Sequence, residues 1–200
     1  MRVIAGIAKG RTLKPVPGKG TRPISDRVKE SVFNILRWQV PDCRFLDLYA
    51  GTGGVGIEAL SRGAELSVFV EKEPKAVRIL RENLRTTHMT GQARVVQEDV
   101  FRFLLLANQS VAPEEQFDII YVAPPQYQDL WAQTLIALEG HPLLAPEGVV
   151  VVQIFPKEYR PLPLEDLVLT DQRKYGSTML CFYERHHGLV DLPAADGGGG

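Results

Sequence analysis

From Arg44 onward, short apolar runs recur along the chain with segments of helical spacing between them. "RFLDLY" (44–49), "LSVFVE" (66–71), "ARVVQ" (93–97), "FDIIYV" (117–122) and "GVVVVQIF" (148–155) are apolar nearly throughout rather than alternating. Strands covered on both faces, as in a parallel sheet, read this way. The intervening segments predict helices over 54–62, 74–87, 99–107 and 129–139. Repeated strand–helix units imply right-handed crossovers and a doubly wound α/β sheet. The last apolar stretch, "LVLTDQRKYGSTMLCFYER" (167–185), leaves no room for a helix. It predicts two strands turning near Gly176, an antiparallel hairpin that closes a seven-stranded, mostly parallel sheet.

Upstream of Arg44 the pattern differs. "RVIAG" and "RTLKPV", separated by "IAKG", predict a hairpin, followed by the loop "KGTRPI". Ser25 is placed to cap a helix with Asp26 in its first turn, and Val28, Val32, Ile35 and Leu36 form an apolar stripe. Pro41 ends that helical region. The expected organisation is an N-terminal hairpin-and-helix extension (1–40), a domain over 41–187, and a disordered tail over 188–200, where "GLVDLPAADGGGG" has little to bury.

Charge sharpens the division. Residues 1–37 carry nine Lys/Arg against two acids, a net +7, so the remainder is −8 within an overall −1. The basic extension therefore suits a polyanionic partner. The chain has no run of 18 apolar residues, and its basic, Gly-interrupted start lacks a signal core, which points to a cytoplasmic protein without a membrane span. Cys43 and Cys181 lack partner spacing and read as buried reduced thiols. His88 and His141 read as solvent-facing caps at helix ends, and His186 and His187 fall in the tail. No cluster has metal-ligand spacing, so no metal is expected. Nothing in the pattern demands an obligate dimer, and a monomer is expected.

The chemistry concentrates after the first strand. Gly51, Gly53 and Gly56 fit G-x-G-x-x-G between a strand and a helix, and Glu71 lies 20 residues past Gly51 at the end of the next strand. Glycines permit the tight turn and the acid holds a ribose hydroxyl, so an adenosine-type ligand is implied. Asp47, just before the turn, discriminates among such ligands. Beside a diphosphate it would cost roughly 4 kcal/mol at 4 Å in a partly screened site. An ammonium or sulfonium would be attracted instead, and S-adenosylmethionine carries both. Asp99 is an N-cap for the helix after the third strand, either alone or with an added contact to an adenine amine. Tyr49, Thr52, Lys72 and Val100 flank these positions.

"VAPPQY" (122–127) follows the fourth strand. Pro124 and Pro125 stiffen this turn at the sheet edge where open sheets bind ligands. Tyr127 offers a face on which a base stacks, and the carbonyls of Ala123 and Pro124 can accept from an exocyclic amine.

On "RVIAG", "KGRTL", "TRPISDRVKESVFNIL", "DLYAGTGGVGIEALSRGA", "VEKEPKAVRILRENL" and "KYGSTMLCFYER", the chain resembles class I S-adenosylmethionine-dependent methyltransferases over about residues 1–185. It is similar in particular to the RsmD family, which methylates guanine N2 of small-subunit ribosomal RNA. The resemblance implies a Rossmann-like methyltransferase sheet, S-adenosylmethionine as methyl donor, and ribosomal RNA or the assembling small subunit as partner. It implies cofactor contacts at Asp47, Gly51, Gly53, Glu71 and Asp99, and places Arg22, Pro23, Asp26 and Arg27 near the cofactor and RNA pocket. Arg11, in the same basic extension, is a further candidate for RNA.

One departure stands out. The family motif is Asp or Asn, then Pro-Pro and an aromatic, whereas here Ala123 replaces the acid and Gln126 precedes Tyr127. Loss of one preorganised polar contact typically lowers a rate by about 10²–10³. Gln126 or a backbone carbonyl substitutes, or the nucleophile differs, or the chain binds RNA without turning over. A nicotinamide-dinucleotide oxidoreductase shares the glycine spacing, but Asp47 opposes it.

Overall fold

In a computed structural model, residues 1–16, 24–108 and 112–186 are described. Arg22, Pro23, His187 and the 188–200 tail lie outside them.

Seven strands form one sheet: β1 (Arg44–Leu48), β2 (Leu66–Val70), β3 (Ala93–Val96), β4 (Phe117–Val122), β5 (Leu144–Ile154), β6 (Leu167–Tyr175) and β7 (Thr178–Arg185). Their order is β3-β2-β1-β4-β5-β7-β6. The first five are parallel, and β7 runs antiparallel to both β5 and β6. Among the described residues five α-helices accompany them: α1 (Asp26–Leu36), α2 (Gly56–Ser61), α3 (Pro74–Thr87), α4 (Val100–Ala107) and α5 (Leu130–Leu138). The order reverses between β1 and β4, and the strand ends there form the crevice where doubly wound sheets bind ligands.

The apolar runs fall inside the strands because both sheet faces are covered. Phe45, Phe69, Tyr121 and Val151 belong to one core, while Leu46, Leu48, Ile120 and Val150 belong to the other. The exposed edge strand β6 carries Asp171, Arg173 and Lys174, charges that discourage edge-to-edge pairing. β5 begins at Leu144, four residues before the apolar run, because Leu144 pairs with Phe117 before the register shifts to Ile119–Val149.

The extension folds onto the domain. Ser25 caps α1, its hydroxyl accepting from Val28 N–H, and Val28, Val32, Phe33 and Leu36 are buried while Ile35 is 38 % exposed. Each such burial stabilises by about 1.5–3 kcal/mol. Val3, Leu13 and these α1 residues share the core of Phe45 and Ile57. Residue 40 thus marks a change in sequence character rather than in packing. The expected hairpin reduces to a single antiparallel bridge, Arg2–Thr12, flanked by Val3 N–H to the Arg11 carbonyl and Leu13 N–H to the Met1 carbonyl. Gly10 N–H also donates to the Val3 carbonyl, while several other backbone groups bond to α2. Ile4 and Ala5 N–H donate to Glu58 and Ala8 N–H donates to Ser61 Oγ.

Candidate active site

The glycine turn joins β1 to α2 through left-handed backbone at Tyr49, Gly51 and Gly53 (φ +63°, +55° and +80°). A Cβ on Gly53 would lie 2.2 Å from Leu80 Cδ1, and one on Gly56 would lie 2.3 Å from Phe69 Cε1, so those two glycines let the turn and α2 pack against α3 and β2. A Cβ on Gly51 would meet nothing within 4 Å, because that position faces an open cavity of about 380 Å³.

Five acidic residues line this cavity, Asp47, Glu71, Glu73, Glu98 and Asp99, and the three that the sequence singled out are each tied to the backbone. Asp47, 2 % exposed on β1, accepts from Gly56 N–H at 3.0 Å, at the start of α2. Burial pushes its carboxyl up to about 7, against the lowering effect of the Gly56 N–H, with Glu71 nearby pushing the same way. Glu71, after β2, accepts from Gly51 N–H at 2.8 Å and Glu73 N–H at 2.9 Å, and so braces the glycine turn. Asp99 caps α4, its Oδ1 accepting from Phe101 N–H at 2.9 Å and Arg102 N–H at 3.4 Å. Its Oδ2 has no such role. Gly51, Thr52, Lys72 and Val100 complete this side of the cavity. Tyr49 walls it too, but its hydroxyl bonds Thr134 Oγ1 at 2.6 Å and so is committed to α5.

The same cavity is lined by Ala123, Pro124, Pro125 and Gln126 after β4, with Gln153 and Thr178, and by Tyr121, the register partner of Asp47 on the neighbouring strand. Tyr127 is not among the lining residues. It adopts φ +63°, donates its N–H to Glu158 Oε1 at 2.7 Å, and leans on Phe155 with ring centroids 5.7 Å apart, 71 % exposed. Its ring stands outside the cavity rather than forming its wall.

The basic candidates scatter. Arg11 donates to the Thr86 carbonyl at the end of α3. Arg27 is exposed on α1, beside Asp26, which pairs with Arg2 at 2.9 Å. From the extension it is Met1, Pro15, Val16 and Ile24 that line the cavity. His141 corrects the reading of a solvent-facing cap. It is 5 % exposed, its Nδ1 accepting from Leu143 N–H and its Nε2 paired with the Leu104 carbonyl, because the loop after α5 folds back under α4.

Two supporting residues escaped the sequence reading. Asn83, fully buried on α3, donates to the Thr52 carbonyl at 3.0 Å and to the Lys14 carbonyl, and accepts from Lys14 N–H. It clamps the glycine turn to the extension. Lys29, fully buried on α1, reaches Glu58 Oε2 at 3.0 Å. A polar residue inside an apolar helical stripe was the available signal for both.

The residues suit a ligand with a cationic end, hydroxyls and a flat base. Asp47, Glu71 and Asp99 offer carboxylates to such a ligand, and the open space at Gly51 leaves room for it to approach the backbone. Among the described residues, no group of three or more His, Cys, Asp or Glu is placed to hold a metal ion, and no helix is long and apolar enough to cross a membrane.

Comparison with known proteins agrees. Residues 1–184 match the family model described as Conserved hypothetical protein 95. The chain is 38 % identical to YlbH of Bacillus subtilis over 185 residues, 92 % of this chain and 99 % of that one. It is 38 % identical over 154 residues to the ribosomal RNA small subunit methyltransferase D of Escherichia coli K12, covering 76 % and 74 %. The solved structure of yhhF from Escherichia coli superposes with a TM-score of 0.79 at 34 % identity, covering 92 % and 97 %. The chain therefore belongs to the Conserved hypothetical protein 95 family and is an RsmD-like S-adenosylmethionine-dependent methyltransferase.

Proposed function

We propose that this enzyme methylates an exocyclic amine of a ribosomal RNA base, guanine N2 of the small-subunit RNA, using S-adenosylmethionine bound in the cavity. The observation that carries the reading is that Asp47, Glu71 and Asp99 line one cavity together with the Ala123–Pro124–Pro125 turn. The small-subunit methyltransferase D relatives support RNA as the substrate class, and the guanine N2 assignment rests on resemblance to that family.

S-adenosylmethionine supplies an electrophilic methyl group when bound. Asp47 would face its cationic end, Glu71 would take the ribose hydroxyls, and Asp99, whose Oδ1 caps α4, would offer Oδ2 to the adenine amine. The stiff Pro-Pro turn offers carbonyls to the target amine and fixes its direction of approach. Attack by the amine nitrogen on that methyl group would break its carbon–sulfur bond and leave methylated base and S-adenosylhomocysteine. The displaced amine proton passes to solvent, so no dedicated general base is required. Holding the reactants at near-attack distance provides most of the acceleration.

A base paired in a duplex would not reach this site, so the target is unpaired or flipped out. The basic extension tracks phosphates, and binding weakens with salt. The enzyme acts as a monomer in the cytoplasm, on free ribosomal RNA or on the assembling subunit. Transfer of a labelled methyl group to small subunits from cells lacking the gene tests this. Label in N2-methylguanine is expected, and bound cofactor with no label in RNA would contradict it.

A further inference from the structure

Ala123 removes the polar side chain expected at the Pro-Pro turn, and the adjacent strand supplies another. Val122 of β4 pairs with Val152 of β5, so Ala123 and Gln153 follow one another's register at the cavity. Alternation places Tyr121 and Ala123 on one face of β4, and Val151 and Gln153 on the same face of β5. The Tyr121 hydroxyl donates to Gln153 Oε1 at 2.5 Å. Tyr121 is fully buried, and burial together with nearby Asp47 pushes its phenol well above the ordinary value, so this hydroxyl stays a donor. The bond sets the carboxamide in one orientation. Oε1 retains a second lone pair, and Nε2 has no hydrogen-bond partner among the described residues.

We propose that Gln153, held by Tyr121, reads the target base in place of the side chain absent at Ala123. Its Oε1 accepts from the amine N–H and its Nε2 donates to the ring nitrogen beside that amine. The ligand class is a nucleobase whose exocyclic amine is flanked by an unprotonated ring nitrogen. An isolated aliphatic amine lacks the second group. This inference rests on the methyltransferase reading above and adds a residue that selects the base.

The test pairs labelled methyl transfer to small subunits from cells lacking the gene with calorimetry of S-adenosylhomocysteine. Gln153→Leu is expected to lower kcat/KM by about 10²-fold while product affinity stays within about twofold. Tyr121→Phe/Gln153→Leu removes both hydrogen-bonding partners, so no buried hydroxyl is orphaned. It is expected to show the same loss at an unchanged melting temperature. Adding Ala123→Asn to Gln153→Leu is expected to recover at least about tenfold, which a merely structural role for Gln153 would not produce. Either Gln153→Leu variant turning over at the wild-type rate, or no recovery with Ala123→Asn, overturns the proposal. Wild-type enzyme that binds S-adenosylhomocysteine yet labels no RNA sinks the methyltransferase reading itself, and this proposal with it.

Discussion

Lys29 Nζ lies 3.0 Å from Glu58 Oε2, with neither side chain exposed to solvent. The pair sits beneath the glycine turn and is fully engaged. Glu58 also accepts from Ile4 and Ala5 N–H and from Arg62 Nε, and Lys29 donates to the Arg2 carbonyl at 2.5 Å. The extension, α1 and α2 are thereby fixed to one another, and with them Met1, which walls the cavity against Gly54.

Breaking this pair from one side leaves a buried charge. Lys29→Met is expected to destabilise by about 3–5 kcal/mol. Thermal and urea unfolding of Lys29→Met, Glu58→Gln and the double variant check this. The double variant should lose less than the sum of the two singles.

The two glycines of the turn should separate fold from binding. Gly51→Ala places a methyl group in the open cavity at φ +55°, at a conformational cost of about 1–2 kcal/mol. It is expected to fold and to bind S-adenosylhomocysteine at least about tenfold more weakly, one such factor being about 1.4 kcal/mol. Gly53→Ala drives a methyl group to 2.2 Å from Leu80 Cδ1 and is expected to lower the melting temperature much further. Calorimetry and unfolding on the same preparations compare them.

Asp47 should make both stability and binding depend on pH. Its folded-state carboxyl is raised from 3.8 to about 7. Its contribution to stability is thus fully present below about 4 and is lost as pH rises through about 7. A cationic ligand prefers the ionised form, so affinity for S-adenosylmethionine should rise through the same window and flatten above it, with proton release on binding below about 7. Titrations across this range in buffers of different ionisation enthalpy measure it, and Asp47→Asn should remove the dependence.

Tyr127 stands on Phe155 outside the cavity, so on the proposed reading its exposed ring serves the RNA rather than the methyl donor. Tyr127→Ala is expected to raise KM for the RNA substrate by about tenfold, in line with roughly 1–3 kcal/mol of base stacking, and to leave S-adenosylhomocysteine affinity unchanged. Steady-state kinetics beside calorimetry distinguish the two effects.

The strands were legible because burial on both faces leaves continuous apolar runs, so β1, β2, β3 and β4 fall where "RFLDLY", "LSVFVE", "ARVVQ" and "FDIIYV" predict them. Asp47, Glu71 and Asp99 could be named from the sequence because strand ends and a helix cap mark them locally, whereas Glu73 and Glu98, which line the same cavity, were not singled out. What escaped depends on long-range partners. Tyr49 turns to Thr134 through a left-handed backbone that no local pattern encodes. Lys29 and Asn83 are buried by partners far away in the chain, the extension and the glycine turn, which no local pattern names. His141 looked like an exposed cap because its partner, the Leu104 carbonyl, comes from another helix.

The most direct measurement is calorimetric titration of the purified protein with S-adenosylhomocysteine and, separately, with NAD. The expected result is saturable binding of S-adenosylhomocysteine, weakened at least about tenfold by Glu71→Ala, with no heat from NAD. Binding of NAD with no binding of S-adenosylhomocysteine would contradict the assignment of the cavity.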